Sequence, residues 1–321
     1  MISGIYPEEK KLVLDNYTIS QFRACPRKLY HRTIERLIPG ATDMWSQEEV
    51  VEPPIPDYLL WGIAHHKGQD QLWMSGNLQE AQNAFEEAFD PIPESSHYTV
   101  ERGRNLIEAY ANRWSFELNN LDTVQCEIKF QTNLGTIEHF PAKSDNFGRH
   151  VAEKWTLDVG GVIDKLYTRT DNTDHFYLCD HKTSSWESES LLPTQKLSNQ
   201  FGGYVYGTQQ ILKKLDSNAS CESLEADILY LNARSSTPKF YRVEVNFNEE
   251  KLNEWKAGIL QTGRMILDCF YNEVWPMYGK EPCAAWNKTC EFFGICDASI
   301  AYRDTVKTAN YIESAWDIDK R

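Results

Sequence analysis

A chain of 321 residues with 47 acidic and 33 basic side chains, net charge −14, is long enough to bury a large core, either as one domain or as a core with an insertion. No stretch approaches the roughly 18–20 apolar residues of a membrane helix. Met1–Lys11 has neither a signal-peptide core nor an Arg-rich transit character, so no membrane partner is expected and the expected location is the cytoplasm (the host's, if virus-encoded). An acidic body also excludes grip on nucleic acid through net charge alone, leaving room only for a local basic channel.

In chain order, Thr18-Ile19-Ser20-Gln21 fits a capping box opening a helix. That helix carries Cys25, and Pro26 kinks or restarts it. The segment runs against the global charge: Arg23, Arg27, Lys28, Arg32 and Arg36 face Glu35 alone. It reads either as a DNA-contacting patch or as a solvated helix face. Leu37–Pro56 reads as a loop. Tyr58–Met74 reads as a helix with Gly62 and, one turn on, His66 on the same face; His65 beside it leaves open which imidazole would be a ligand. Leu78–Phe89 and Tyr98–Leu121 follow as amphipathic helices, the second with Leu106, Tyr110, Trp114 and Leu118 at helical spacing.

Val124–Gln131 alternates as a strand, with Val124, Cys126, Ile128 and Phe130 on one face and Glu127 on the other. The sequence then reaches its most informative stretch, Thr156–Thr183. Leu157–Tyr167 and His175–Thr183 read as two strands joined by the polar turn Thr170–Asp174. Asp180 and Lys182 share a face, with His181 pointing the other way, and Asp164 closes an apolar run on the neighbouring strand. Carboxylates in a buried strand pair need a partner or a metal. Two hard carboxylates suit Mg²⁺ or Mn²⁺, which activates a water and neutralises phosphate charge, while a lysine stabilises developing negative charge. D-x-K alone reads first as an ordinary hairpin with a salt bridge.

Further on, Gln195–Leu215 reads as a helix with Gln200 and Tyr204 on one face, and Ala226–Asn232 and Lys239–Phe247 as strands. Glu249–Tyr271 reads as a helix. Of eight cysteines, Cys126, Cys179, Cys221 and Cys269 read as structural, while Cys283, Cys290 and Cys296 cluster late in the chain. In a cytosolic protein such a cluster points to metal before disulfide. The order of elements predicts an α/β fold with a mixed central sheet flanked by helices.

Taken together, Gly62…His66, Gly161-Val162-Ile163-Asp164, Asp180-His181-Lys182 and Gln200…Tyr204 resemble the PD-(D/E)XK nuclease superfamily, specifically its RecB-like exonuclease branch. The resemblance implies a restriction-endonuclease-like core. In it Asp164 and Asp180 bind the catalytic Mg²⁺ or Mn²⁺, with His66 and the backbone carbonyl of His181 as further ligands. Lys182 assists the nucleophilic water, and Gln200 and Tyr204 position the DNA strand. Cys25 in S-x-F-x-x-C-P-R-K, with Cys283, Cys290 and Cys296, resembles the iron–sulfur subset of that branch, the AddB-like and CRISPR-adaptation nucleases. This implies a 4Fe–4S cluster joining the N- and C-terminal segments. The trailing spacing, C-x₆-C-x₅-C, departs from the usual C-x₂-C-x₅-C, and zinc is the alternative occupant of four thiolates.

The expected division is then 1–57, a basic helical segment with the first cluster cysteine; 58–275, a nuclease core including the helical layer; and 276–321, the cysteine-cluster segment. Arg23, Arg27, Lys28 and Arg32 are the expected DNA contacts. The expected activity is a metal-dependent DNA exonuclease at single-strand or duplex ends in recombination, repair or phage DNA processing, with a repair or recombination protein as partner. The alternatives are a structure-specific endonuclease on the same core and a non-catalytic DNA-binding scaffold. Oligomeric state is left open by the sequence.

Overall fold

The computed structural model describes residues 3–40, 55–89, 98–139, 152–184, 189–215, 219–230, 237–285 and 288–314. The chain opens with strands β1 (Gly4–Tyr6) and β2 (Lys11–Asp15), helices α1 (Asn16–Ala24) and α2 (Pro26–Leu29), a π-helical turn at Tyr30–Ile34, and β3 (Leu37–Pro39). Helices α3 (Asp57–Ser75), α4 (Leu78–Phe89), α5 (Val100–Arg113) and α6 (Ser115–Leu118) come next, then the long strands β4 (Leu121–His139), β5 (Glu153–Arg169) and β6 (Asn172–Ser184). After a 3₁₀ segment at Glu189–Leu197 follow α7 (Asn199–Leu215), β7 (Ser220–Tyr230), β8 (Lys239–Asn246) and α8 (Glu249–Asn272). The chain continues through α9 (Lys280–Cys283), α10 (Phe293–Asp297), α11 (Arg303–Asn310) and β9 (Tyr311–Glu313). Among the described residues seven strands form one sheet, in the order β1-β2-β5-β6-β7-β8 with β4 also on β5. Parallel and antiparallel ladders alternate in it, so the expected mixed α/β architecture is present. No helix among the described residues is long and apolar enough to cross a membrane.

The chain divides into two compact units. The first is built from residues 1–54, 131–160 and 254–321. In it β2 runs antiparallel to β1 and parallel to β5, with Lys11 opposite Thr156 and Asp15 opposite Gly160. Leu12, Val13 and Leu14 are buried, so this strand, hidden on both faces, reads as a continuous apolar run rather than an alternation. Helix α8 lies so close that a Cβ on its Gly263 would stand 2.4 Å from Leu157 Cδ1 and 2.6 Å from Ile137 Cδ1.

Helix α1 begins earlier than Thr18. Asp15 is the N-cap, accepting from Thr18 N–H at 2.7 Å, while Thr18 Oγ1 accepts from Asp15 N–H at 2.9 Å. Thr18 therefore sits at the third helical position of the capping box, and the carboxylate of Asp15 supplies the stronger acceptor. As expected, Pro26 restarts the helix. Cys25 is extended (φ −163°, ψ 115°) and Pro26 opens α2, because the proline ring drives its predecessor out of the helical region.

The second unit comprises residues 55–130 and 161–253. β5 and β6 pair antiparallel with Lys165 opposite Cys179; β6 and β7 run parallel with Asp180 opposite Ala226 and Lys182 opposite Ile228; β7 and β8 pair antiparallel with Asp227 opposite Arg242. Trp61, Leu72, Trp73, Phe85, Phe89, Leu106, Ile107, Tyr110 and Trp114 from α3, α4, α5 and the residue after it form one apolar cluster with Leu229. Each fully buried large apolar side chain there contributes roughly 1.5–3 kcal/mol of transfer free energy. The expected alternation of Val124–Gln131 fails at its start: Val124 is exposed and Glu127 has φ +53°, a left-handed residue that breaks the pleat.

The predicted helix Gln195–Leu215 starts at Asn199, with Pro193 inside the preceding 3₁₀ segment. The predicted helix Tyr98–Leu121 ends at Arg113 and resumes briefly as α6. The predicted loop Leu37–Pro56 includes strand β3, while its residues 41–54 lie outside the described residues, as do 231–236 of the turn between β7 and β8.

Candidate active site

The second unit places its chemistry where β5 and β6 run side by side. Register carries Asp164 to the neighbourhood of Asp180, and the backbone N–H of His181 donates to Asp164 Oδ2 at 2.7 Å. His66, one turn after Gly62 on α3, puts its Nδ1 3.7 Å from the same Oδ2. Asp180 is 1% exposed. Burial, opposed in part by Lys182 and reinforced by Asp164, pushes its carboxyl up to about 6.

Lys182 Nζ stands 2.6 Å from Asp180 Oδ2 and donates to Gln200 Oε1 at 3.1 Å. Gln200 Nε2 donates to Asp180 Oδ1 at 3.2 Å and to the Tyr204 hydroxyl at 2.6 Å. The amide is oriented unambiguously by its neighbours, oxygen toward the ammonium and nitrogen toward the carboxylate. Tyr204 itself is 4% exposed. Its ring meets Phe130 edge-on, and Phe130 is wedged between two glycines. A Cβ on Gly207 of α7 would stand 2.5 Å from the ring, and one on Gly161 of β5 2.9 Å from the opposite edge.

The donors fit a hard divalent cation: two carboxylates repel each other, and the His66 imidazole lies beside Asp164. Structure thus brings together His66, Asp164, Asp180, His181, Lys182, Gln200 and Tyr204. Glu127 pairs with Lys67 at 3.3 Å.

The four clustered cysteines lie in the first unit. Cys25 is buried; Cys283, Cys290 and Cys296 are half-buried. Cys290 N–H donates to Cys283 C=O at 2.8 Å. Burial pushes the Cys296 thiol up, and Arg27, Cys290, Cys25 and Cys283 are its electrostatic neighbours. The four thiols thus come from two ends of the sequence.

The basic helix residues are engaged inside this unit. Arg23 donates to Thr262 Oγ1 at 3.0 Å, Arg27 Nε to Trp275 C=O at 2.9 Å and Arg32 Nη1 to Ser314 C=O at 2.7 Å, while Lys28 pairs with Glu291 at 3.3 Å. These contacts tie α1 and the turns after it to the end of the chain.

Sequence reasoning missed a buried polar chain on the side of β6 opposite Lys182. The His181 ring, its basicity suppressed by burial, lies with Nε2 3.0 Å from the Tyr110 hydroxyl and 3.6 Å from Cys179 Sγ. Tyr110 accepts from Trp73 Nε1 at 3.0 Å and lies 3.4 Å from Asp227 Oδ2. Arg242 grips Asp227 with both Nε and Nη2, at 2.7 and 3.0 Å. Cys179, His181 and Asp227 offer ligand atoms within 4.8 Å of one another, a set suited to zinc rather than magnesium. Both Asp227 oxygens, however, already accept from Arg242, and burial pushes the Cys179 thiol well up. The signal available beforehand was Asp227 itself, a carboxylate inside the apolar run Ala226–Tyr230.

A family profile for the PD-(D/E)XK nuclease superfamily matches residues 17–297, and the chain belongs to that superfamily. No curated protein matches the chain. Among solved structures it is similar to the crystal structure of a "putative exonuclease" from Eubacterium rectale, with 12% identity, a TM-score of 0.45, and coverage of 88% of this chain and 90% of that one.

Proposed function

We propose that this nuclease is a DNA exonuclease that works at single-strand or duplex ends with Mg²⁺ or Mn²⁺ at Asp164 and Asp180. The observation that carries the proposal is the closed group Asp180–Lys182–Gln200–Tyr204 beside Asp164 and His66. It gathers hard ligands, one cation and an amide on two strands and two helices. When bound, the ion neutralises charge on the scissile phosphate and makes a water nucleophilic near neutral pH. The protein's share is positional. Asp164, Asp180, His66 and the His181 carbonyl hold the ion. Lys182, fixed between Asp180 and Gln200, presents its ammonium to the developing charge. Gln200, backed by Tyr204, presents its amide edge to the strand. Arg23, Arg27, Lys28 and Arg32 contribute DNA contacts in this reading.

Cys25, Cys283, Cys290 and Cys296 hold a 4Fe–4S cluster in this reading, with zinc as the alternative. Its role is structural, because hydrolysis moves no electrons. The division into 1–57, 58–275 and 276–321 is retained as a functional one: DNA-facing segment, hydrolytic core and cluster segment.

The test is incubation of end-labelled linear and circular single-stranded DNA with Mg²⁺ or Mn²⁺, beside Asp180→Ala. Linear DNA shortened from its ends with circles intact supports the proposal. Cut circles assign an endonuclease, and Asp180→Ala activity equal to the parent's removes the site.

A further inference from the structure

Buried Tyr110 and Asp227 and half-buried Arg242 are polar groups that hydrolysis does not touch, yet they converge on the one histidine whose backbone lies in the candidate site. The His181 N–H holds Asp164 Oδ2 at 2.7 Å, and its buried ring Nδ1, which has no hydrogen-bond partner, lies 4.0 Å from that same oxygen. We propose that Tyr110 is a positioning residue that fixes the tautomer of His181 and thereby the orientation of the Asp164 carboxylate. This inference rests on the reading of Asp164 and His181 as metal ligands.

The hydrogen-bond distances favour one arrangement. The indole of Trp73 can only donate, so the Tyr110 oxygen accepts there and its own proton is free to point elsewhere. Two acceptors are within reach: His181 Nε2 at 3.0 Å and Asp227 Oδ2 at 3.4 Å. Asp227 already receives two bonds from Arg242, whereas Nε2 has otherwise only the weak thiol of Cys179. Donation to Nε2 puts the imidazole proton on Nδ1, where it faces Asp164 Oδ2 favourably. The opposite tautomer would aim the Nδ1 lone pair at a carboxylate inside a buried site. Arg242 completes the chain by engaging both Asp227 oxygens, which leaves the 3.4 Å contact to Oδ2 the longer of the two open to the tyrosine proton. Ligating carboxylates are themselves held by outer-shell partners, and losing such a partner typically costs about 10–100-fold in metal affinity.

Nitrogen NMR of the imidazoles in metal-free protein tests this without any turnover. The parent should show His181 neutral and protonated on Nδ1, and Tyr110→Phe should move that proton to Nε2. In the same variant the Mg²⁺ concentration giving half-maximal cleavage should rise about tenfold, with the rate at saturating Mg²⁺ close to the parent's. Tyr110→Phe that keeps both the tautomer and the Mg²⁺ dependence overturns the proposal. So does a parent His181 protonated on Nε2, which decides the matter even where the variant does not fold. One equivalent of zinc lost in Cys179→Ser would also overturn it, by making the set a metal site. A parent that cleaves no DNA would remove the nuclease reading, while the tautomer measurement would still decide this one.

Discussion

Gly207→Ala tests whether Phe130 sets the place of α7 and hence of Gln200. At an open position inside a helix the substitution stabilises by about 1 kcal/mol. Here the new methyl would meet Phe130 Cδ2 and Cε2 at 2.5 Å, against ordinary carbon contacts of about 3.5–4.0 Å. The ring must withdraw by about 1 Å, and its far edge already lies where a Cβ on Gly161 would be 2.9 Å away. Overpacking of this kind costs about 1–3 kcal/mol, so the helix gain is cancelled and the net effect should be destabilising by up to about 2 kcal/mol. Tyr204, edge-on to the same ring, should carry the Gln200 amide off its bonds to Asp180 and Lys182. A misplacement near 1 Å there lowers the cleavage rate by up to about 10²-fold. The assay is urea unfolding and single-turnover cleavage of the parent, Gly207→Ala, Phe130→Leu and the double variant. Contact demands a coupling of about 1–2 kcal/mol, the smaller leucine relieving the methyl. A stabilised Gly207→Ala with additive energies would refute the reasoning.

Asp164→Ala should abolish Mg²⁺-dependent cleavage with folding largely intact, and Lys182→Ala should slow it about 10²-fold; circular dichroism and single-turnover rates check both. Asp70 is buried, and burial, with Glu127 and Asp164 nearby, pushes its carboxyl up to about 8. The folded protein then holds a proton that the unfolded chain releases near its ordinary value of 3.8. Stability attached to this group is therefore lost as pH rises from about 4 to 8. Asp70→Asn should gain on the parent across that range by up to about 1.4 kcal/mol per pH unit, and parallel urea-unfolding curves at pH 5 and 8 would contradict this. Cys283→Ser should lower the melting temperature and bleach protein purified without oxygen, whose expected colour is brown; a parent that is colourless and carries one zinc would replace iron–sulfur by zinc.

The core of the site was legible because its residues are local to two strands and two helices. Alternation alone put Asp180 and Lys182 on one face, and four-residue spacing joined Gln200 to Tyr204. What stayed hidden depends on pairings far apart in sequence. Tyr110 read as one more apolar residue of an amphipathic helix, and nothing in the sequence says that Arg242 lies opposite Asp227 until the register of β7 on β8 is known. The opening strands escaped notice because Leu12–Leu14, buried on both faces, shows no period of two. The left-handed Glu127 is equally silent, since a glutamate carries no turn signature.

The segmentation of the two units sets an order of assembly. During synthesis every residue of the second unit, ending at Asn253, has been made before the first unit receives its final segment. Cys25 is therefore exposed to the cell's thiol chemistry long before Cys283, Cys290 and Cys296 exist. At roughly 5–20 residues per second, most of the interval passes while the intervening unit is being made. The same segmentation that completes the second unit early leaves α1 and the turns after it waiting for the C-terminal segment that Arg23, Arg27 and Arg32 grip.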